Sequence, residues 1–433
     1  MSSNDSSLLS SSLRTCRDVE LTREERTEFD LISPERPRTT RGLALRVNHG
    51  GRSGFAWGEG NPRGEELLEQ AIEDSRDGPE AILFAHGILP PVRSEGEPDI
   101  EQGLERLRAL IRGLDFMLPP LLPEREFRVQ ARLLRQRLTI LTRAGERSAC
   151  RLLYFLTLRS SEDPPLTAGM YTARPDDTPA EILCRLAWRT VHSREVAWPE
   201  SDHLPAVFTS TGTGRLLQDL ASDQLDVRSG PEAPVPGKAW LHPAIRILDD
   251  GTVPGAFGTT PFDGEGLPRG CVPLVENGRL IRALADRSRG PRTRPGEMGL
   301  AVRDWGQPPR PGYSNLVMGA GDSSLGELCS EIQEGLLLDR LTPVPGRAEP
   351  GEFCRRAETA FLILEGQPVC RTPPVLVRAR YEDLLGNRLQ ALGFERSWHG
   401  RTFAPPLSVS DITLEEADPD PDEDFSDLPG CWW

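Results

Sequence analysis

The segment "RLLQDLASDQ" at residues 215–224 carries Gln218, Asp219 and Asp223 within what its apolar residues predict to be an amphipathic helix. Asp can bind zinc, so a metal-dependent reaction is one chemistry that this segment could support. Gln is a poor zinc ligand, and one or two exposed carboxylates at this spacing would hold zinc weakly. The residues alone leave open whether the segment is an ordinary helix or part of an active site.

Other patterns that could do chemistry are weak. The eight cysteines form no CxxC pair, and none has a histidine at zinc spacing. The sequence contains no HExxH, HxxEH or HxH motif. The stretch "TGTGR" at 211–215 lacks the GK[ST] ending of a phosphate-binding loop, and the aspartate-rich turns lack the spacing of a calcium loop.

Asn315 precedes a predicted β segment in "GYSNLVMG". Its amide could hold the backbone of an extended peptide that adds to the sheet as a strand. The same amide could instead make a hydrogen bond at the start of its own strand, which is the interpretation we favour. Asn315 is therefore a candidate substrate-binding residue with a structural alternative.

Composition narrows the class of protein. The chain has 433 residues and a formal net charge of −15, which argues against a general nucleic-acid-binding protein. It contains no apolar run of about 18 residues, so no transmembrane helix is expected. The N-terminus has no basic-then-apolar signal pattern, and the cysteines are scattered, which together predict a cytoplasmic protein with reduced thiols.

The elements that would position these residues fall into two regions. Residues 1–40 are predicted to be a disordered Ser-rich leader, and 415–433 a disordered acidic tail. Between them we predict an α+β fold, with an N-terminal α+β domain over 41–200 and a β-rich domain over 201–414. The N-terminal elements predicted from the pattern are a hairpin turning at "NHGG", a Pro-led helix, a strand at "EAILFAHGIL", a helix from Ile100 to Leu118, two strands around Ala144-Gly145, and a helix capped by Thr178.

The order of these motifs resembles the TldD/PmbA family of metallopeptidase-related proteins. The segments that carry the resemblance are "RGLALRVNHGGRSGFAWGEG", "AIRILDDGTVPGAFGTTPFDGEGLPRGCVPLVENGRLIRALAD", "GYSNLVMGAGDSSLGELCSEIQEGLLL" and "APPLSVSDITL". No single motif is specific, but their order extends from about residue 41 to 414. The resemblance implies that the C-terminal domain is barrel-like, with a mixed sheet.

The family implies a particular expectation for the opening segment. Its TldD type carries HExxxH on a helix of the second domain and a cysteine near the C-terminus, which together hold zinc, whereas its TldE/PmbA type lacks these ligands. Here the HExxxH positions correspond to Gln218, Asp219 and Asp223, and the span before the closing strand has His399 and no cysteine. We therefore expect no metal in this chain and zinc in a TldD-type partner.

The resemblance also suggests where substrate would lie. The family's D-x-E-G turn is close to its active cavity, so Asp263, Glu265 and Gly266 are candidate substrate-binding residues. Formation of the turn itself is the alternative, and the one we favour, because Asp and Gly satisfy local backbone groups.

Three functions remain in competition. The first is a non-catalytic TldE/PmbA-like subunit that pairs with a TldD-type metallopeptidase, as a dimer, in proteolysis of unfolded or precursor peptides. The second is a stand-alone peptide-binding or scaffold protein on a degenerate protease fold. The third is an active single-chain peptidase, in which Asp219, Asp223 and His399 would form a working metal site. We favour the first.

Overall fold

The structure is a computed structural model of the whole chain. It describes residues 3–31, 36–80, 97–123, 126–161, 167–174, 179–193, 195–226, 234–287 and 299–417. The predicted strand at "EAILFAHGIL", the cap at Thr178 and most of the acidic tail lie outside the described residues. Within that part of the chain, no helix is both long enough and apolar enough to span a bilayer.

The N-terminal half is built on one antiparallel sheet with helices against it. Its strands are β1 Asp18–Asp30, β2 Arg38–His49, β3 Arg52–Glu59, β4 Phe127–Thr142, β5 Gly145–Ser160 and β6 Thr167–Thr172, in the spatial order β3-β2-β1-β4-β5-β6. Its helices are α1 Ser3–Ser12, α2 Gly64–Asp74, α3 Ile100–Leu121 and α4 Pro179–His192.

Strand alternation gives this sheet two different faces. On β1, β2 and β4, odd-numbered residues such as Leu45 and Leu133 pack under the helices, α2 and α3 among them. Even-numbered residues of these three strands face the other way, where Leu134 packs with Phe257, and Ile140 packs with Phe262. The sheet therefore lies between its own helices and loops of the C-terminal half.

Several predicted elements are present as expected. The β2–β3 hairpin turns at Gly50-Gly51, where both φ angles are positive, a conformation that glycine adopts without strain. The β4–β5 hairpin turns at Arg143-Ala144, one residue before the predicted Ala144-Gly145, and helices α2 and α3 follow the apolar periodicity. The α+β fold class is confirmed.

The disordered leader over 1–40 is wrong. Residues 3–12 form α1, and 18–30 form β1, which pairs with β2 on one side and β4 on the other. The charged sequence of β1 suggested a solvated segment, but its carboxylates meet arginines of neighbouring strands, as Glu25 does with Arg41 and Arg135. At the other end, Glu415 and Glu416 belong to the last strand and not to the tail. The boundaries at 200 and 414 stay a prediction.

The C-terminal half contains a closed barrel. Its strands are β7 His203–Phe208, β8 Ile247–Asp250, β9 Cys271–Glu276, β10 Arg279–Leu280, β11 Ala301–Val302, β12 Arg310–Pro311, β13 Leu316–Met318, β14 Glu334–Pro343, β15 Glu352–Leu364, β16 Gln367–Arg371, β17 Val375–Arg380, β18 Leu389–Leu392, β19 Ser397–His399, β20 Thr402–Ala404 and β21 Leu407–Glu416. Five of them close in the order β14-β7-β21-β17-β15 and back to β14. Only β14–β7 is parallel, so the barrel is mixed, as expected.

Two helices and a π-helical turn accompany these strands, namely α5 Ser210–Asp223, α6 Leu325–Ser330 and the turn Asp383–Asn387. A second sheet, in the order β10-β9-β8-β13-β20-β19, lies beside the barrel. Helix α5 contacts barrel strand β14 and also β19 and β20 of the second sheet. Its buried residues Leu216, Leu217 and Leu220 join the same apolar core as both sheets. This fixes the opening segment between the two sheets.

Buried charges join the two halves of the chain. Glu20 of β1 accepts hydrogen bonds from Arg46 of β2 at 3.0 Å and from Arg303 at 2.5 Å. Arg46 also bonds Glu265 at 3.0 Å. All four residues are buried. On the same strand Glu24 is buried, and this burial raises the pKa of its carboxyl to about 7.

Candidate functional site

Helix α5 is held in place by its cap and by two glycines. The Thr209 side chain accepts from the Gly212 amide at 3.3 Å and donates to Asp339 at 2.8 Å. A Cβ on Gly212 would lie 2.7 Å from the Leu338 carbonyl, and one on Gly214 would lie 2.8 Å from the Thr402 hydroxyl. The helix therefore approaches β14 and the β19–β20 hairpin more closely than other residues would allow.

The three side chains of the opening segment all have partners inside the protein. Asp219 accepts from two nitrogens of Arg355, at 2.7 and 2.5 Å, and lies 3.4 Å from Arg215. The Gln218 amide donates to the His399 carbonyl at 3.4 Å. Asp223 accepts from the Gly351 amide at 2.9 Å. The carboxylates therefore bind a guanidinium and a backbone amide.

A cavity of about 870 Å³ opens beside α5. Its walls come from both halves of the chain: strand β6 and helix α4 on one side, and α5 with the β19–β20 hairpin on the other. Gln218, Asp219 and His399 line it, so three residues singled out from the sequence do meet there. Among the described lining residues one acid, Asp219, faces seven arginines, which are Arg174, Arg185, Arg189, Arg215, Arg340, Arg396 and Arg401.

His399 is neutral at physiological pH. Removal from water and then the positive charges of Arg215 and Arg185 lower the pKa of its imidazole to about 4. Burial also lowers the pKa of Arg401, to about 10, which leaves this guanidinium protonated. The described lining of the cavity therefore combines several guanidinium groups with one neutral imidazole.

The zinc set that the family resemblance implies does not fit these residues. A zinc site needs several free donors converging on one point. Here the Asp219 oxygens are taken by Arg355, and Asp223 points to the Gly351 amide. Across the part of the chain that the structure describes, no group of three or more His, Cys, Asp and Glu side chains could share a metal ion.

The D-x-E-G turn lies outside the cavity lining. Asp263 is fully buried and accepts from the amides of Glu265, Leu267 and Ala301, at 2.9, 2.8 and 3.2 Å. These hydrogen bonds match the structural alternative, in which Asp263 forms the turn itself. Glu265 belongs to the buried charges with Arg46, and Gly266 takes a φ of +81°. A substrate role for Asp263, Glu265 and Gly266 stays a prediction that this placement does not favour.

Asn315 is also buried and fully engaged. Its amide nitrogen donates to the Asp250 carbonyl at 2.8 Å and to the Thr259 hydroxyl at 3.0 Å. Its amide oxygen accepts from the Gly258 backbone at 2.8 Å. The side chain thus ties two loops to β13, and its proposed grip on a peptide stays untested.

Two features of the site were not predicted from the sequence. The arginines lie far apart in the sequence, although Arg185 and Arg189 are spaced to share one face of α4 and Arg215 sits four residues before Asp219. Strand β6 is the other: in the described chain it pairs with β5 alone, so its outer edge runs along the cavity. An exposed sheet edge can accept a further strand.

Comparison with known proteins supports the resemblance. The family described as the PmbA/TldA metallopeptidase C-terminal domain matches residues 205–416. The metalloprotease TldD homolog of Haemophilus influenzae is 26% identical over 132 residues, which are 30% of this chain and 27% of that protein. A metalloprotease of Methanothermobacter thermautotrophicus is 31% identical over 131 residues, 30% of this chain and 29% of that protein. The matched stretch thus spans under a third of these relatives.

Solved structures share the fold over nearly the whole chain. TldE from Thermococcus kodakarensis superposes with a TM-score of 0.75 and 17% identity, covering 95% of this chain and 99% of that one. A protein of Thermotoga maritima, whose name suggests a modulator of a DNA gyrase, superposes with a TM-score of 0.73 and 17% identity, covering 95% and 99%. At this identity the likeness shows the fold alone.

Proposed function

We propose that the chain, whose residues 205–416 match the PmbA/TldA metallopeptidase C-terminal domain, is a non-catalytic, TldE/PmbA-like subunit of a cytoplasmic metallopeptidase complex. Its partner would be a TldD-type chain that carries the zinc. The complex would act on unfolded or precursor peptides. The subunit would complete a shared cavity that holds the peptide, and zinc bound by the partner would supply the hydrolytic chemistry.

One observation carries the proposal. The three residues at the HExxxH positions are engaged within the protein, and Asp219, where the family has its general base, forms a two-nitrogen ion pair with Arg355. A carboxylate whose two oxygens accept from a guanidinium is not placed to take a proton from a water that attacks a substrate. Catalysis by α5 would require this pair and the Asp223 contact to be broken.

The edge of β6 supplies a place for the peptide. Gly169 lies in the middle of this strand, and the strand borders the cavity from Thr167 to Thr172. An extended peptide added to this edge would gain backbone hydrogen bonds without any requirement on its sequence. This fits an unfolded substrate.

The first test is the zinc content of the purified chain, measured by inductively coupled plasma mass spectrometry after expression without a partner. We expect near-zero zinc. Peptide cleavage should then appear only when a TldD-type chain is added. Zinc near one per chain that resists dialysis would overturn the proposal and make the single-chain peptidase the correct function.

A matched variant tests the role of α5. Asp223→Asn keeps an acceptor for the Gly351 amide and removes the charge. In the complex this variant should cleave peptide at nearly the wild-type rate. A loss of several orders of magnitude would mean that α5 takes part in the chemistry.

A stand-alone peptide-binding protein is the second candidate, and the β6 edge favours it because one chain provides the whole platform. Co-expression with a TldD-type chain from the same genome separates the two. A stable complex on size-exclusion chromatography supports the subunit. Peptide binding by a chain that forms no such complex supports the stand-alone protein.

A further inference from the structure

Three neutral polar groups in the cavity beside α5 have no hydrogen-bond partner among the described residues. They are the Tyr313 hydroxyl, the side-chain oxygen of Gln218 and the His399 imidazole, and all three residues line the cavity. Asp219, in the same lining, is by contrast engaged by Arg355. A polar group without a protein partner can exchange water for a ligand and give up no contact within the protein.

The orientation of the Gln218 amide is fixed by the groups that it meets. Its nitrogen lies 3.4 Å from the His399 carbonyl oxygen and 3.5 Å from the Thr402 hydroxyl. A carbonyl oxygen can only accept a hydrogen bond, so the NH₂ end of the amide must face the β19–β20 hairpin. The amide oxygen remains for the cavity, where it can accept a hydrogen bond but cannot donate one.

The Tyr313 hydroxyl supplies a donor. Tyr313 is 5% exposed, its ring belongs to the apolar core of the C-terminal half, and Arg401 lies 4.9 Å from the ring centre. Burial raises the pKa of the hydroxyl, and the negative charge of Asp219 raises it further, so this group keeps its proton. A packed ring therefore holds the O–H in one place at the cavity.

The His399 imidazole adds a group of both kinds. Gly214 lets α5 approach this residue closely, since a Cβ on Gly214 would lie 2.9 Å from the His399 Cβ. The neutral ring carries one N–H and one nitrogen without a proton, which makes it a donor and an acceptor. The three side chains thus offer donors and acceptors together, and none of them carries a charge.

This combination of donors and acceptors favours one class of ligand. An ionised carboxylate or phosphate only accepts hydrogen bonds, so the lone pairs of the Gln218 oxygen would repel it. A metal ion would find one imidazole nitrogen and one amide oxygen, which are too few ligands for a site. A peptide backbone presents N–H and C=O groups in alternation, and these groups satisfy both kinds of partner.

We infer that Gln218, Tyr313 and His399 form a main-chain recognition site: the Gln218 oxygen accepts from a backbone N–H of a bound peptide, and the Tyr313 hydroxyl and the His399 N–H donate to its carbonyls. The inference rests on the proposed peptide-binding function and adds the residues that hold the peptide. Recognition of main-chain groups leaves the side chains of the substrate unspecified, which suits unfolded peptides of varied sequence.

Binding of a labelled peptide of about ten residues to the full chain, measured by fluorescence anisotropy, tests this inference. A series of the same peptide, methylated at one backbone nitrogen at a time, removes one N–H donor from each member and keeps every side chain. We expect methylation at one or more positions to weaken binding about three- to tenfold, the range of one hydrogen bond. In Gln218→Met the unmodified peptide should lose the same factor, and methylation at one of those positions should have no further effect.

Two further variants test the donors. Tyr313→Phe removes only a hydroxyl, and His399→Phe keeps a ring and removes both nitrogens; each should weaken the unmodified peptide about three- to tenfold. Tyr381→Phe makes the same change at a buried tyrosine outside the described lining, and Gln390→Met removes an exposed amide that also lies near a carbonyl. These two controls should leave the Kd unchanged. Thermal unfolding shows whether each variant is folded.

The outcomes separate this inference from the proposed function. Methylation that weakens binding to the wild type and to Gln218→Met by the same factor at every position would overturn the main-chain site. Equal losses in Tyr313→Phe and Tyr381→Phe would overturn it too, as would binding of inorganic phosphate, measured by calorimetry, in a chain that binds no peptide. The proposed function is decided separately, by the zinc content and by peptide cleavage when a TldD-type chain is added.

Discussion

Replacing Arg355 with methionine removes the partner of a buried carboxylate and keeps most of the volume of the side chain. Asp219 is 7% exposed, and two nitrogens of Arg355 reach its oxygens at 2.7 and 2.5 Å. Breaking a buried pair costs roughly 3–5 kcal/mol, because one charge is left without compensation in a medium of low polarity. Arg215, at 3.4 Å, offsets part of this cost, so we expect about 3 kcal/mol.

The assay is urea unfolding followed by circular dichroism, with thermal unfolding in parallel. A loss of about 3 kcal/mol corresponds to a fall in Tm of roughly 6–9 °C if a chain of this size loses about 2–3 °C per kcal/mol. The control is Arg380→Met on β17, whose pair with Glu382 is about half exposed on both sides. That change should cost under about 1 kcal/mol.

A double-mutant cycle identifies the pair as the cause. Asp219→Asn removes the charge that Arg355 neutralises, so the double variant should recover part of the loss, with a coupling energy of about 2 kcal/mol. The reasoning is refuted if Arg355→Met unfolds at the same urea concentration as Arg380→Met. A coupling energy near zero would equally show that the two side chains do not interact.

Further predictions concern the charged sheet and the glycines. Burial raises the pKa of Glu24 to about 7, so the folded state holds this proton more tightly than the unfolded chain does. Stability from this group is full below about pH 4.5 and is lost as the pH rises through 7, so Glu24→Gln should stabilise the protein at pH 8 by up to roughly 3 kcal/mol and have little effect at pH 4.5. Urea midpoints at both pH values, with exposed Glu28→Gln as control, check this; an equal gain at both would contradict it. Gly212→Ala should cost roughly 2 kcal/mol, because the new methyl meets the Leu338 carbonyl at 2.7 Å. Gly326→Ala in α6, with its nearest neighbour at 4.0 Å, should be neutral or slightly stabilising, because Ala favours a helix more than Gly does; equal losses for the two variants in calorimetry would show that the contact with the Leu338 carbonyl does not decide the effect.

The sequence predicts those parts of the fold that depend on residues close together in the chain. The β2–β3 turn needs two residues with positive φ, and Gly50-Gly51 supplies them; α3 shows its apolar stripe within its own residues. Strand β1 could not be predicted in this way, because Glu20 is matched by Arg303, 283 residues further along the chain. The charged composition of β1 suggested an exposed segment, whereas pairing with distant residues buries much of it.

The same distinction, between features set by nearby residues and features set by distant ones, applies to the candidate site. The position of Gln218, Asp219 and His399 around one cavity follows from motif order, and the structure brings them together. The set of arginines in the described lining does not follow from the sequence, since they come from separate helices, strands and loops across the chain. The ion pair between Asp219 and Arg355 could not be predicted from the sequence either, because the two residues lie 136 residues apart. Partners supplied by tertiary packing decide what these side chains can do.

The buried charges that join the two halves also constrain how the chain can be made. The ribosome completes Glu20 and Arg46 long before Glu265 and Arg303, so the sheet face that will be covered stays open to water during that time. A fragment that ends near residue 200 would keep the pair of Glu20 and Arg46 but display the apolar and charged face that Phe257, Phe262 and Arg303 cover in the full chain. We therefore expect the two halves to unfold together, and a fragment with either half alone to self-associate.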